Sequence, residues 1–254
     1  MRAIETAAAP VRPLQWQQAH VVEIVVETSR VKSLLLRVAS WQRHLPGQHV
    51  DIRLTAEDGY QAQRSYSIAS PPEDELFALT VERVENGEVS PYLVGDLRAG
   101  DRFEVRGPIG GYFVWTVEAG GPLCLIAGGS GIAPLLAMLR HRDRRKVHIP
   151  ASLLYSSRSL DDVIYRNELD TMARRDTNLR VVYTLTRKQP EGWLGPRRRI
   201  DKALLAEACY PPDQNPKIFV CGPTSLVEEV ARMLVELGHE PQTIKTERFG
   251  PTGA

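Results

Sequence analysis

The sequence has few cysteines and no apolar stretch long enough to cross a membrane. Its three cysteines are Cys124, Cys209 and Cys221, too few for an iron–sulfur cluster held by four cysteine thiolates. No two of them have C-x-x-C spacing and there is no H-E-x-x-H motif, so neither a disulfide framework nor a metal site is predicted. No apolar run approaches the roughly 20 residues of a membrane-spanning helix.

An excess of charge of one sign is also missing. There are 32 lysine and arginine residues and 31 aspartate and glutamate residues, for a net charge of +1. This balance favours neither nucleic acid nor an anionic membrane as a partner. The first ten residues lack the apolar segment of a secretion signal, so we expect a cytoplasmic location.

Two different periodicities divide the chain near residue 117. Before it, short alternating segments separated by turn sequences predict β-strands and favour a closed antiparallel barrel. The strands are predicted at residues 20–27, 31–38, 49–54, 64–68, 76–84 and 101–105. After it, short apolar runs at residues 122–127, 148–155, 179–185 and 217–221 predict strands that alternate with helical patterns. This alternation predicts an α/β domain with a parallel sheet. The helices are predicted at residues 132–140, 161–174, 200–208 and 225–237.

The predicted organisation therefore has three parts. Residues 1–16, rich in alanine and proline, form a loose arm. Residues 17–117 form the antiparallel barrel, and residues 118–254 form the α/β domain with a C-terminal tail. The sequence contains no internal repeat.

The most specific stretch of the barrel half is residues 64–70, RSYSIAS. On a β-strand, Arg64 and Tyr66 lie on one face, and Ser65 and Ser67 lie on the other. A guanidinium group can bind a pyrophosphate through two hydrogen bonds, and a tyrosine ring can cover a flat ring system. The strand therefore suits a flavin dinucleotide, although these residues alone also fit an ordinary surface strand.

A second motif joins a buried strand, a glycine-rich turn and the start of a helix at residues 125–134, LIAGGSGIAP. Glycines let backbone amides approach a pyrophosphate, and a helix N-terminus favours its negative charge. A glycine-rich turn alone is weak evidence for a nucleotide, but its position between a strand and a helix strengthens it. We expect Gly128, Gly129, Gly131 and Pro134 to bind a dinucleotide.

Four motifs resemble, in order, those of the ferredoxin–NADP reductase family. They are R-x-Y-S-x-x-S at residues 64–70, G-x-x-S at 87–90, G-G-x-G-I-x-P at 128–134 and C-G-P at 221–223. The ending E-R-F-G at 247–250 is similar to that of bacterial members. The resemblance covers nearly the whole chain from about residue 18. It implies an FAD-binding barrel followed by an NAD(P)-binding α/β domain, in a stand-alone form without a fused iron–sulfur domain.

The resemblance also implies roles for single residues. Arg64 is expected to contact the FAD pyrophosphate, Tyr66 to stack on the isoalloxazine ring and Ser67 to hydrogen-bond near flavin N5. Cys221 and Glu247 are expected to line the nicotinamide side, so Ser67, Cys221 and Glu247 form the expected catalytic set. The further cofactor-binding residues implied are Ser65, Gly87, Val89, Ser90, Gly222, Pro223 and Phe249. Without the resemblance, Cys221 reads as a buried thiol and the ending as a tail packed at the domain joint.

The turn at residues 87–90 is expected to face the FAD phosphates, because backbone amides can approach an oxyanion closely at a glycine. Ser90 can donate its hydroxyl there. If Ser90 begins the helical pattern at residues 91–97, it is also a suitable N-cap.

Three arginines bear on the choice of nicotinamide dinucleotide. Arg158 and Arg187 follow predicted strands and Arg199 lies in a basic triplet, similar to the set that holds the NADPH 2′-phosphate in bacterial relatives. Asp161 and Asp162 lie close to Arg158 and weaken this inference, and an exposed basic loop is the alternative. The balance favours NADP(H) over NAD(H).

The resemblance implies an FAD-dependent oxidoreductase that takes electrons from NADPH or NADH. The expected acceptor is a separate carrier, such as a ferredoxin or the iron–sulfur protein of an oxygenase. One alternative is direct reduction of free flavin, ferric chelate or quinone. Another is an FAD-binding electron-transfer subunit of a larger complex, and a third is a nucleotide-binding domain without a redox role.

Overall fold

The computed structural model describes residues 14–250. Most of the predicted arm therefore lies outside the described residues. Between residues 17 and 109 the chain forms an antiparallel sheet and one short helix. The elements are β1 (Gln17–Thr28), β2 (Val31–Val38), β3 (His49–Thr55), β4 (Gln61–Ser67), β5 (Phe77–Glu82), α1 (Ser90–Gly95) and β6 (Arg102–Ile109).

The six strands of this sheet close into a barrel. Their order is β4-β3-β6-β1-β2-β5, with antiparallel neighbours throughout. The two end strands meet where Ile68 bridges to Leu79 and the Ala69 amide donates to the Ala78 carbonyl at 2.8 Å. Closure pairs the edges that an open sheet would expose. The predicted antiparallel barrel is confirmed.

Alternation along the strands forms the barrel core. In β2, for example, Leu34 and Leu36 are fully buried, whereas Arg37 between buried neighbours is exposed. The inward side chains form one cluster with members from all six strands and α1. Period-two alternation is therefore the sequence signal that builds this half.

The second half is an α/β domain with a parallel sheet. Its elements are β7 (Leu123–Gly128), α2 (Ile132–Arg144), β8 (Ala151–Ser157), α3 (Arg166–Arg175), β9 (Leu179–Leu185), α4 (Lys202–Ala208), β10 (Lys217–Pro223), α5 (Thr224–Glu236) and β11 (Ile244–Phe249). The strand order is β11-β10-β7-β8-β9, and all neighbours are parallel. Every residue of β7 and β8 is buried, as expected for strands covered on both faces.

The order of strands places a switch point between β7 and β10. From β7 the chain proceeds to β8 and β9 on one side, and then returns to β10 and β11 on the other. Open α/β sheets bind ligands at the carboxyl ends of strands beside such a switch point. The turn at residues 128–131 follows β7 there, and the turn at 221–223 ends β10.

Three local predictions were wrong. The ending expected to be a tail is the edge strand β11, paired with β10 from Ile218↔Ile244 to Pro223↔Phe249. Helix α3 begins at Arg166 and not at residue 161, because a loop precedes it and Tyr165 has left-handed backbone angles (φ +60°). Helix α1 ends at Gly95, two residues before the predicted end.

A buried polar contact joins the two domains. The Tyr165 hydroxyl lies 2.5 Å from Ser33 Oγ on β2 and 2.7 Å from Thr80 Oγ1 on β5. Arg140 of α2 lies 4.8 Å above the Tyr165 ring and donates to the carbonyl of Ala69, just after β4, at 2.9 Å. Buried hydrogen bonds of this kind define one orientation of the domains.

None of the helices within residues 14–250 is both long and apolar enough to span a bilayer.

Candidate functional site at the joint of the two domains

The two glycine turns at the switch point pack backbone against backbone. A Cβ at Gly131 would lie 2.2 Å from the carbonyl oxygen of Cys221, and one at Gly222 would lie 3.1 Å from the Gly128 backbone. A Cβ at Gly128 would lie 3.0 Å from the Pro223 ring. A larger residue at Gly131 or Gly222 would require a backbone shift, and one at Gly128 would press on the side chains of Pro223 and Leu226. Gly131 and Gly222 are therefore required for the close approach of the two turns.

The middle of the first turn faces the barrel. Gly129 has φ +55°, a left-handed conformation that favours glycine. Its carbonyl accepts a hydrogen bond from the Tyr155 hydroxyl at 2.9 Å. Ser130 donates its hydroxyl to Glu82 Oε2 at the end of β5, at 2.8 Å. Pro134 lies in the first turn of α2, where its missing N–H costs no helical hydrogen bond.

Cys221 and Glu247 lie side by side on neighbouring strands. They are register partners of β10 and β11, and Cys221 is fully buried. Burial and the nearby Glu247 carboxylate raise the pKa of the Cys221 thiol well above its usual range. Burial also raises the pKa of Glu247 to about 7. The pair therefore offers a neutral thiol and a carboxyl group that can hold or release a proton near neutral pH.

Phe249 follows two residues later on the same edge strand. It pairs in register with Pro223 and packs, half-buried, against the core of the α/β domain. The end of β11 therefore lies beside the second glycine turn, and the chain places Glu247 and Phe249 together there.

The two motifs expected to bind FAD meet on the barrel. Arg64 Nη2 lies 2.5 Å from Glu88 Oε2 in the turn at residues 87–90. Glu88 also accepts a hydrogen bond from the Tyr60 hydroxyl at 2.5 Å. The hydrogen bond from Tyr60 and the guanidinium group of Arg64 lower the pKa of Glu88. The Arg64 side chain is about half exposed, so it can reach a phosphate group at this surface.

Ser90 does not cap helix α1, contrary to the prediction. The helix begins at Ser90 itself, and Val89 occupies the N-cap position without a side-chain hydrogen bond. Ser90 Oγ instead accepts a hydrogen bond from the Val84 amide at 3.0 Å, which tightens the turn. Val89 is buried in the barrel core. Only its backbone therefore faces the turn surface.

The other residues of the Arg64 strand have different surroundings. Tyr66 packs against the barrel core, and burial raises its pKa to about 12, so its phenol stays neutral. Ser65 donates its hydroxyl to Asp51 Oδ1 at 2.6 Å, on the opposite face of the strand. Ser67 ends β4, half-buried, opposite His49 of β3.

The three predicted arginines gather at the carboxyl ends of β8 and β9. Arg187 follows β9, and its amide donates to the carbonyl of Arg158, which follows β8, at 2.9 Å. The segment of Arg199 is held to β9 by the hydrogen bond from the Thr184 hydroxyl to the Arg198 carbonyl. All three side chains are exposed, and within residues 14–250 none forms an ion pair with a carboxylate. Their positive charge is available to an anion.

Sequence reasoning missed Tyr60, Glu82 and Glu88. Glu88 lies inside a recognised motif, so its charge beside Arg64 was a usable signal. Glu82 and Tyr60 carry no local signal, because their contacts, to Ser130 and Glu88, join segments 48 and 28 residues apart.

A groove of about 920 Å³ lies elsewhere between the domains, with α2 and α3 on one side and β1 and β2 on the other. Its charges include the ion pairs Arg140–Glu168 and Arg144–Asp74. Within the described chain, its lining contains none of the residues expected to touch a cofactor. The geometry therefore favours the switch point as the functional site.

Comparison with known proteins finds two domains that correspond to the antiparallel and the parallel sheets of the structure. Residues 18–114 match the oxidoreductase FAD-binding domain, and residues 125–232 match the oxidoreductase NAD-binding domain. NADH-cytochrome b5 reductase 1 of Kluyveromyces lactis is 31% identical over 201 residues, which cover 76% of this chain and 69% of that protein. The chain belongs to the ferredoxin reductase family. Its predicted cofactor classes, FAD and a nicotinamide dinucleotide, are those of this family's two domains.

Two further members of this family are similar over most of the chain. The glycine betaine monooxygenase reductase subunit of Pseudomonas aeruginosa is 34% identical over 209 residues, 82% of this chain and 56% of that protein. This chain thus spans about half the length of that relative. The crystal structure of the Amycolatopsis cytochrome P450 reductase GcoB superposes with a TM-score of 0.82 at 27% identity, covering 99% of this chain and 75% of the other.

Proposed function

We propose that this protein is an FAD-dependent reductase that takes a hydride from NADPH or NADH and passes the electrons to a separate acceptor protein. The observation that carries the proposal is the meeting of the two glycine turns at the switch point, in contact with the barrel through Ser130 and Glu82. A dinucleotide held at this edge would reach the domain joint, where the Arg64 strand of the barrel also ends. Bound FAD would accept the hydride and release electrons singly or in pairs.

The flavin side of the site fits FAD. Arg64 and the turn at residues 87–90 supply a guanidinium group and a glycine-bearing backbone on one surface. A pyrophosphate would compete with Glu88 for Arg64, and an exposed ion pair of this kind is easily displaced because water screens its charges. Tyr66 offers a neutral aromatic ring, and Ser67 a hydroxyl at the end of the same strand.

The nicotinamide side fits a hydride donor. Cys221 stays a neutral thiol because it is buried, so it shapes the pocket and does not act as a nucleophile. Glu247, with a pKa of about 7, can accept a hydrogen bond or carry a proton at the same edge. Gly128, Gly131 and Gly222 keep the floor of this edge free of side chains.

We further propose a preference for NADP(H) over NAD(H). The support is the group of arginines Arg158, Arg187 and Arg199, which are exposed and lack carboxylate partners in the described chain. A 2′-phosphate needs cations where the adenine ribose lies, and the carboxyl end of β8 is the place where the second strand of such a fold meets that ribose. Asp162 accepts a hydrogen bond from Ser159 at 2.6 Å and, within residues 14–250, forms no ion pair with Arg158.

We propose an iron–sulfur protein, either a ferredoxin or an oxygenase component, as the acceptor. The support is the similarity to a monooxygenase reductase subunit, whose name places it with an oxygenase.

The first test is the absorbance spectrum of the purified protein, before and after NADPH or NADH is added without oxygen. We expect flavin bands that are bleached faster by NADPH, followed by their return when an oxidised ferredoxin is added. Rapid bleaching of the flavin bands without electron transfer to any iron–sulfur protein would contradict the proposal that the acceptor is an iron–sulfur protein. A colourless protein that cannot be reconstituted with FAD would contradict the function.

A further inference from the structure

Glu82 places a negative charge at the turn that the proposed function assigns to the dinucleotide pyrophosphate. Its Oε2 accepts the Ser130 hydroxyl at 2.8 Å and lies 4.0 Å from the position of a Cβ at Gly129. The side chain is half-buried at the end of β5. In the described part of the chain, the Ser130 hydroxyl is its side-chain hydrogen-bond partner, and no cation is within ion-pair distance.

The negative charge of Glu82 disfavours an anion at a turn that otherwise favours one. Glycine amides and the N-terminus of α2 favour an anion, whereas a carboxylate a few ångströms away repels one. A half-buried charge is screened less by salt than an exposed one. The carboxylate also engages the hydroxyl of Ser130, which is then not available to a phosphate oxygen.

The shape of the turn does not depend on Glu82. Tyr155 holds the Gly129 carbonyl from the α/β side, and Gly131 is wedged against the Cys221 carbonyl. Both contacts lie within one domain. Removing the charge of Glu82 should therefore leave the turn in place and change only the field and the hydrogen bond that it supplies.

We propose that Glu82 lowers the affinity of the glycine-rich turn for the dinucleotide pyrophosphate. This inference rests on the proposed function. It means that one carboxylate of the barrel domain lowers the dinucleotide affinity of the other domain, and so favours release of the dinucleotide.

The test is equilibrium binding of NADP⁺ and of ADP-ribose to the oxidised, FAD-loaded protein, measured by calorimetry. Glu82→Gln keeps an oxygen acceptor for Ser130 and removes the charge. We expect it to tighten both ligands by about threefold to tenfold at low salt, the order of effect of one charge at several ångströms in a partly solvated site. The gain should shrink at high salt, and adenosine 2′-monophosphate, which lacks the pyrophosphate, should bind unchanged.

Two controls make the result specific. Glu85→Gln removes an exposed carboxylate three residues away, which pairs with Arg30 at 3.8 Å, and it should change no affinity. Ser130→Ala keeps the Glu82 charge and should not tighten binding. Unchanged or weaker binding of ADP-ribose by Glu82→Gln would overturn the inference, as would an equal gain for adenosine 2′-monophosphate. A wild-type protein that binds FAD but neither dinucleotide ligand would instead overturn the proposed function.

Discussion

Replacing Glu247 by glutamine should make the stability of the protein less dependent on pH. Glu247 lies on β11 beside Cys221, and burial raises its pKa from 4.5 to about 7. One pKa unit corresponds to about 1.36 kcal/mol, so this shift corresponds to about 3 kcal/mol. The figure is an upper value, because the side chain is still partly solvated.

The sign follows from proton binding. Between about pH 4.5 and pH 7 the folded protein keeps the Glu247 proton, whereas the unfolded chain loses it. The unfolded state binds fewer protons in this window, so the free energy of unfolding falls as pH rises. Glutamine cannot ionise. The stability of Glu247→Gln relative to wild type should therefore rise through this window, by up to about 3 kcal/mol.

The assay is urea unfolding of both proteins, saturated with FAD, at a series of pH values from about 5 to about 8. Urea is uncharged and leaves the electrostatic contributions unscreened. Glu229→Gln, which changes an exposed glutamate on α5, is the matched control and should show no such trend. If the difference in the free energy of unfolding between Glu247→Gln and wild type is the same at every pH in this range, the burial argument is refuted.

Three further substitutions, and Gly111→Ala as a control, test other parts of the structure. Arg158→Ala should raise the KM for NADPH more than that for NADH; equal effects would remove this residue from the 2′-phosphate site. Gly131→Ala should abolish dinucleotide binding in calorimetry or prevent folding, because its Cβ would lie 2.2 Å from the Cys221 carbonyl oxygen. Gly111→Ala meets nothing within 4 Å and should behave as wild type. Tyr165→Phe leaves two buried hydroxyls without their shared partner and should lower the free energy of unfolding by about 1–3 kcal/mol; an unchanged urea midpoint would show that the interdomain hydrogen bonds contribute nothing.

Much of the fold could be read from the sequence because its signals are local. Strands β2 and β9 have the predicted bounds, residues 31–38 and 179–185, since alternation or a short apolar run between turns marks a strand by itself. The change of period near residue 117 separates the barrel from the α/β domain for the same reason. The glycine turns were recognisable because only glycine permits their backbone contacts.

The wrong predictions concern interactions that residue type and local periodicity do not reveal. The chain after residue 243 looks like a tail, because β11 exists only through its pairing with β10. Serine is common at helix N-caps, but the Oγ of Ser90 instead accepts a hydrogen bond from the Val84 amide. Local preference was overruled in both cases by a partner that local sequence does not reveal.

The sequence by itself thus determined the two domains, their order and the residue types at the cofactor motifs. Tertiary structure alone decided two features of the charges near those motifs: the contact of Glu82 with Ser130, and the burial that gives Glu247 a pKa of about 7. The physical reason is that secondary structure follows from short-range periodicity, whereas burial and electrostatic contact depend on how distant segments pack. The chemistry that we propose for this site depends on contacts between the two domains.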